Sequence, residues 1–114
     1  MAKSKIPGPL ERRHLIERDL SAAQALRYAE AYLEEGRDQE AIEFLVKAEA
    51  EEQLEAMRRR AIEAGDAFLL RTLSAATGVA ADREQWKMLA EAAAAAGKER
   101  YAEEALRHAG RGED

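Results

Sequence analysis

Two histidines, His14 and His108, and a large set of glutamates are the side chains here that could carry acid–base or metal chemistry. A common metal-binding pair on a helix is His-x-x-x-His, and neither histidine has a second histidine at that spacing. A carboxylate-bridged di-metal bundle needs Glu-x-x-His on each of two helices, and the chain does not supply that pair. The glutamates have a simpler reading. Glu43–Lys47, Glu55–Arg59 and Glu103–Arg107 are each spaced one helical turn apart with the acid first, the order that stabilises an exposed face. The sequence has no cysteine, no glycine-rich phosphate loop and no nucleophile elbow. The expectation is a non-enzymatic protein with no catalytic residue, no metal and no cofactor. Tyr28, Tyr32, Phe68 and Trp86 recur at helical spacing and are expected in the core.

The bulk numbers agree with a folded globular chain. At 114 residues the chain has room for one ordinary domain. Hydrophobic residues make up 46% and charged residues 36%, a core with strongly charged faces rather than a disordered composition. The net charge of −5 opposes binding to phosphate backbones. Arg58-Arg59-Arg60 is the local exception, and a minor reading is a regulatory, nucleic-acid-linked role. Its plainer reading is a solvated helix face neutralised by Glu51, Glu52, Glu55 and Glu63. No secretory signal or membrane span is expected, since Pro7-Gly8-Pro9 follows the basic start and the longest apolar stretch is Ala92 to Ala96. The absence of cysteine suits a cytoplasmic location.

The elements that would position any site read as helices almost throughout, because Ala, Leu, Glu, Arg and Gln dominate. Residues 1–9 form an N-terminal arm, 10–109 one all-helical domain, and 110–114 a frayed end. A short helix starts near Leu10, with Leu10, Ile16 and Leu15 as its apolar residues. Ser21 and Gln24 form a capping box, and the helix they open runs to Gly36. Asp38 caps the next. The segment from there to Gly65 is either one long helix or two separated by a tight turn near Ala50 to Gln53. Asp66 opens a helix ending near Thr77-Gly78, Asp82 one ending at Gly97, and a last helix runs from about Glu99 to Ala109.

Gly36, Gly65 and Gly97 recur at intervals that suggest an internal repeat. The first and third units align without gaps: Ala29-Glu30-Ala31 with Ala90-Glu91-Ala92, Ala41 with Ala102, Leu45 with Leu106, Ala48 with Ala109. Small residues at Ala29, Ala41, Ala90 and Ala102 would let paired helices approach. Tyr28, Tyr32, Leu45, Trp86, Leu89 and Leu106 would fill the gaps. Trp86, Leu89, Ala90, Gly97, Ala102, Leu106 and Ala109 follow the order and spacing of the tetratricopeptide repeat (TPR), which the chain resembles from roughly Ala22 to Ala109. Tyr28, Ala29, Tyr32, Gly36, Ala41, Leu45 and Ala48 follow it too, with Ala25 in place of the bulky first residue. The middle unit departs from it, with Arg58 at a small-residue position and Ser74 and Thr77 as poor matches.

The resemblance implies an all-α fold of antiparallel helical hairpins stacked as a short right-handed superhelix; the alternative is a plain helical bundle. It also implies a concave face that binds a peptide or protein surface, the role of an adaptor or assembly factor. The residues placed on that face are Leu26, Glu30 and Leu33, then Glu55, Arg59 and Ile62, then Lys87, Glu91 and Ala94. Leu26, Leu33 and Ile62, if exposed, would make the apolar part of the patch. Glu30 and Glu91 stand where a carboxylate-clamping donor would be needed, which argues against that specialised use. A self-associating homodimer is the second reading. The arm, with Lys3 and Lys5, is a further candidate contact.

Overall fold

The computed structural model describes residues 6–111; Lys3, Lys5 and residues 112–114 lie outside them. Seven α-helices and no strand occur among the described residues: α1 Pro9–Glu17, α2 Ala22–Glu34, α3 Asp38–Lys47, α4 Glu51–Ala64, α5 Ala67–Thr77, α6 Arg83–Ala95 and α7 Glu99–Arg111. The chain divides into two compact units, Met1–Leu54 and Glu55–Asp114.

Helix starts follow local chemistry. Ser21 with Gln24 and Asp82 with Gln85 form complete capping boxes, each satisfying two otherwise unpaired backbone donors. Asp66 accepts from the Leu69 N–H at 3.0 Å. Asp38 is not a cap: Arg37 holds that position without a side-chain capping bond, and Asp38 lies in the first turn of α3. There its carboxylate still meets the positive end of the helix. α1 starts at Pro9, and Pro7 ahead of it is buried rather than part of a free arm. α7 runs on through Gly110 and Arg111, past the expected end at Ala109.

Helix ends share one device. At Gly36, Gly65 and Gly97 the glycine N–H bonds the carbonyl three residues back, and the next N–H bonds the one five back. That pair of bonds needs a left-handed residue, and the three φ values are 72°, 68° and 77°. The segment between Asp38 and Gly65 resolves as two helices. Its turn falls at Ala48–Ala50, ahead of the expected Ala50 to Gln53.

In the first unit α2 packs on α3. Ala25, Ala29, Ala31 and Tyr32 of α2 are buried, as are Ala41, Ile42, Phe44 and Leu45 of α3 and Leu15 of α1. Phe44 stacks on Tyr32 with ring centroids 5.8 Å apart and lies 5.4 Å from Tyr28. Tyr28 itself is only half-buried. Leu10, expected among the apolar contacts of α1, is 66% exposed, and Leu15 takes the inward position. Lys47 Nζ donates to the Arg18 carbonyl at 3.0 Å, tying the end of α3 to the end of α1.

In the second unit α7 packs on α6 and on α5. The core is Met57, Ala61 and Ile62, then Ala67, Leu69, Leu70 and Leu73, then Trp86, Leu89, Ala90 and Ala93, then Ala105 and Ala109. Each of the larger side chains contributes about 1.5–3 kcal/mol by leaving water. Three expectations fail here. Leu106 does not fill a gap but is 60% exposed, and Ala105 faces inward instead. Phe68 is 48% exposed, because the inward face of α5 is already taken by Leu69, Leu70 and Leu73. Arg58 is not on a solvated face: it is 5% exposed, and its Nη2 donates to the Val79 carbonyl at 3.0 Å and to Thr77 Oγ1 at 3.4 Å.

Candidate functional site

The residues assigned to a binding face split between the two units. On α2, Leu26, Glu30 and Leu33 are spaced to share one flank, away from the buried line Ala25, Ala29 and Tyr32. Glu30 is exposed, and Leu26 and Leu33 are half-buried. On α4, Glu55 and Arg59 are exposed, but Ile62 is 7% exposed and belongs to the core. Glu55 Oε1 lies 4.0 Å from Arg58 Nε, so part of its charge is directed at the buried guanidinium. On α6, Lys87 is half-buried and sits 3.9 Å from Glu84, while Glu91 and Ala94 are exposed.

Two side-chain clusters were not foreseen as units. In the first unit, Arg12 lies 5.4 Å from the Tyr32 ring centre and 5.6 Å from that of Phe44, and its Nη2 donates to the Glu40 carbonyl at 2.8 Å. Arg37 lies 5.2 Å from the same Tyr32 ring and bonds Glu40, its Nε reaching Oε1 at 2.6 Å. Cation–π attraction holds both guanidiniums on the aromatic faces. Arg37's hydrogen bond keeps the Glu40 carboxyl below the usual carboxylate range. Burial raises the Tyr32 hydroxyl above its ordinary value, with the Arg12 charge opposing the rise. Tyr32 therefore stays neutral at physiological pH, and neither group is poised as an acid or base.

In the second unit, His108 stacks on Trp86 with ring centres 4.2 Å apart and planes 17° from parallel. Its Nε2 is 3.4 Å from Glu104 Oε2, and Arg71 Nε meets that same oxygen at 2.5 Å. Arg71 also lies 5.4 Å from the exposed Phe68 ring. The cluster pins α7 to α5 and α6. Spacing gave a partial signal for it, since Glu104 and His108 are one turn apart; the partners on α5 and α6 were not legible. His14 is exposed.

Among the described residues no group of three His, Cys, Asp or Glu side chains could hold a metal ion, and no helix is long and apolar enough to cross a membrane. The Arg58–Arg60 run presents Arg59 and Arg60 outward, with Arg58 turned in. Set against known proteins, the chain matches no family model, and no curated protein or solved structure is significantly similar to it.

Proposed function

We propose that the chain is a non-enzymatic, cytoplasmic protein-interaction module of TPR-like hairpins, an adaptor or assembly factor that engages a peptide or protein surface. The observation that carries the reading is the flank of α2, where Leu26 and Leu33 stay half-exposed around Glu30 beside the buried line of Ala25, Ala29 and Tyr32. Two partly exposed leucines bracketing a charge on a rigid helix suit an extended or helical ligand. The α6 flank, with Lys87 and Glu91, offers a charged counterpart in the second unit. Support for the repeat comes from α2–α3 and α6–α7, which share capping boxes and closing turns at matched positions.

Capture of partners from the source cell tests this, with Leu26→Glu and Leu33→Glu compared against Lys87→Glu and Glu91→Lys. Loss of the same partner with the α2 pair, at unchanged helicity and melting, is the expected result. Retention of every partner by all four folded variants removes the α2 flank from the reading. Ile62→Glu is the wrong probe, because a carboxylate at that buried position tests folding rather than binding.

Self-association is the second reading. Phe68, Val79, Met88 and Leu106 of the second unit are all large, apolar and exposed. Mass measured in solution over a range of concentrations decides it: a constant monomer mass rejects the homodimer.

A further inference from the structure

The turn between α3 and α4 has the same bonding as the glycine turns but is made from a different residue. The Glu49 N–H donates to the Val46 carbonyl and the Ala50 N–H to the Leu45 carbonyl, both at 3.0 Å. Glu49 has φ 53° and is the one non-glycine residue with positive φ among those described. A β-carbon in that region crowds the following carbonyl, a strain that glycine avoids.

The surrounding sequence pulls the other way. From Asp38 to Ala64 there is neither Gly nor Pro, and the β-branched residues are only Ile42, Val46 and Ile62. Most of the rest is Ala, Glu, Leu, Gln, Arg and Met, residues that favour uninterrupted helix. Glu51 and Glu52 favour the break, since they occupy the first turn of α4 where the helix dipole attracts carboxylates. Burial of Ala41, Ile42, Phe44 and Leu45 in the α2–α3 pair fixes α3 itself in either case.

We infer that residues 48–50 are a two-state link, exchanging between the turn and a continuous helix from Asp38 to Ala64, with Glu49 as the switch residue. In the continuous form the N–H groups of Glu49, Ala50 and Glu51 move to the carbonyls of Leu45, Val46 and Lys47. Glu49 then returns to the right-handed region. Any partner that binds the two forms unequally shifts their ratio by that difference in affinity. The link is independent of the binding face proposed above, and either idea survives failure of the other.

The chain has no cysteine, so Glu43→Cys with Glu63→Cys, both at exposed positions, takes two spin labels on the full chain. Uninterrupted helix places those two Cα atoms about 30 Å apart, and a turn between them shortens the distance. The expected result is a major short distance and a minor one near ~30 Å. Glu49→Gly relieves the left-handed strain and lowers the long-to-short ratio at least about fivefold. Glu49→Val raises it, because β-branched residues tolerate the left-handed region least. One short distance, identical in all three proteins, overturns the link. So does a long population that Glu49→Gly leaves unchanged. If Glu49→Val fails to fold, the glycine comparison alone decides, since that variant removes strain and adds none.

Discussion

The hairpins α2–α3 and α6–α7 have the same local signals and exchange bulk at two aligned positions. Both begin with a capping box and turn on a left-handed glycine, Gly36 in one and Gly97 in the other. Aligned on those glycines, Ala25 of α2 corresponds to Trp86 of α6, and Phe44 of α3 corresponds to Ala105 of α7. All four are buried. At these two positions the large ring sits on the second helix of one hairpin and on the first helix of the other, with alanine at the remaining position each time; Tyr32 adds a further buried ring to α2. The exchange roughly conserves volume, as close packing requires. It also explains the fate of the aligned leucines. Leu45 joins Phe44 in the core, whereas α7, facing Trp86, keeps alanines inward and leaves Leu106 outside.

The comparison makes its largest claim about Phe44 and Leu106. Phe44→Ala is expected to cost about 4 kcal/mol in urea unfolding, the range for a fully buried aromatic. Leu106→Ala is expected within about 0.5 kcal/mol of the parent. A Leu106→Ala cost near that of Phe44→Ala breaks the contrast and means that this flank is covered in solution. Gly65→Ala comes next. A β-carbon there would lie 2.5 Å from the Ala93 backbone, while the same change at Gly36 or Gly97 meets nothing within 4 Å. Strain plus overlap predicts about 3 kcal/mol at Gly65, against about 1 kcal/mol, from the left-handed backbone alone, at the other two. Equal costs at all three, measured side by side, would show that the Gly65 turn has room to shift.

Capping boxes and glycine turns were legible because their bonds join residues within five positions of each other. Ser21, Asp66, Asp82, Gly36 and Gly97 needed no knowledge of the rest of the chain. Which side of a helix faces inward depends on a neighbour far along the sequence, and there the spacing misled. Phe44 went unremarked beside Leu45, Leu106 was assigned a core role, and Arg58 was read as solvated. The misfit of the middle unit has a physical cause: Arg58 spans to the end of α5, and Ser74 and Thr77 return hydroxyl bonds to the Leu70 and Leu73 carbonyls. Polar side chains with these bonds stand at the three positions that depart from the pattern. For the candidate face, periodicity grouped Leu26, Glu30 and Leu33 on one flank but could not tell that Ile62 is enclosed. Glu49 was invisible because nothing in its identity announces a left-handed backbone.

The bulk exchange is itself testable by transplanting it. Ala25→Trp alone overpacks the first hairpin and is expected to cost about 1–3 kcal/mol. Combined with Phe44→Ala it reproduces the arrangement of α6–α7. If the two positions share one volume, the double variant is more stable than the sum of the single changes by about 1–2 kcal/mol. Strict additivity in a double-mutant cycle would mean that the positions do not compensate and that the correspondence between the hairpins is coincidental.

The smallest expected effect concerns the ring on which Phe44 stacks. The corresponding position in α6 is Ala93, so only the first hairpin buries a phenol. Tyr32 Oη is enclosed and has no well-formed hydrogen bond; the Arg12 guanidinium is the polar group near enough to act on it. Deleting an enclosed hydroxyl that lacks a well-formed bond removes a desolvation cost and loses little, so Tyr32→Phe is expected to be neutral or to stabilise by up to about 1 kcal/mol at neutral pH. The pH dependence is more discriminating. The folded state raises the pKa of Tyr32 because burial disfavours the phenolate. The raised value favours folding wherever the unfolded tyrosine is still protonated, below about pH 10. That contribution is unchanged at neutral pH and is lost as pH rises from there through the folded value. Wild type should therefore lose more stability than Tyr32→Phe between about pH 9 and pH 11, since the two proteins differ in this one ionisable group. Parallel stability curves for the two proteins across that range would show that the phenol reaches solvent or a partner, and that the first hairpin is packed less tightly around Phe44 than the buried rings imply.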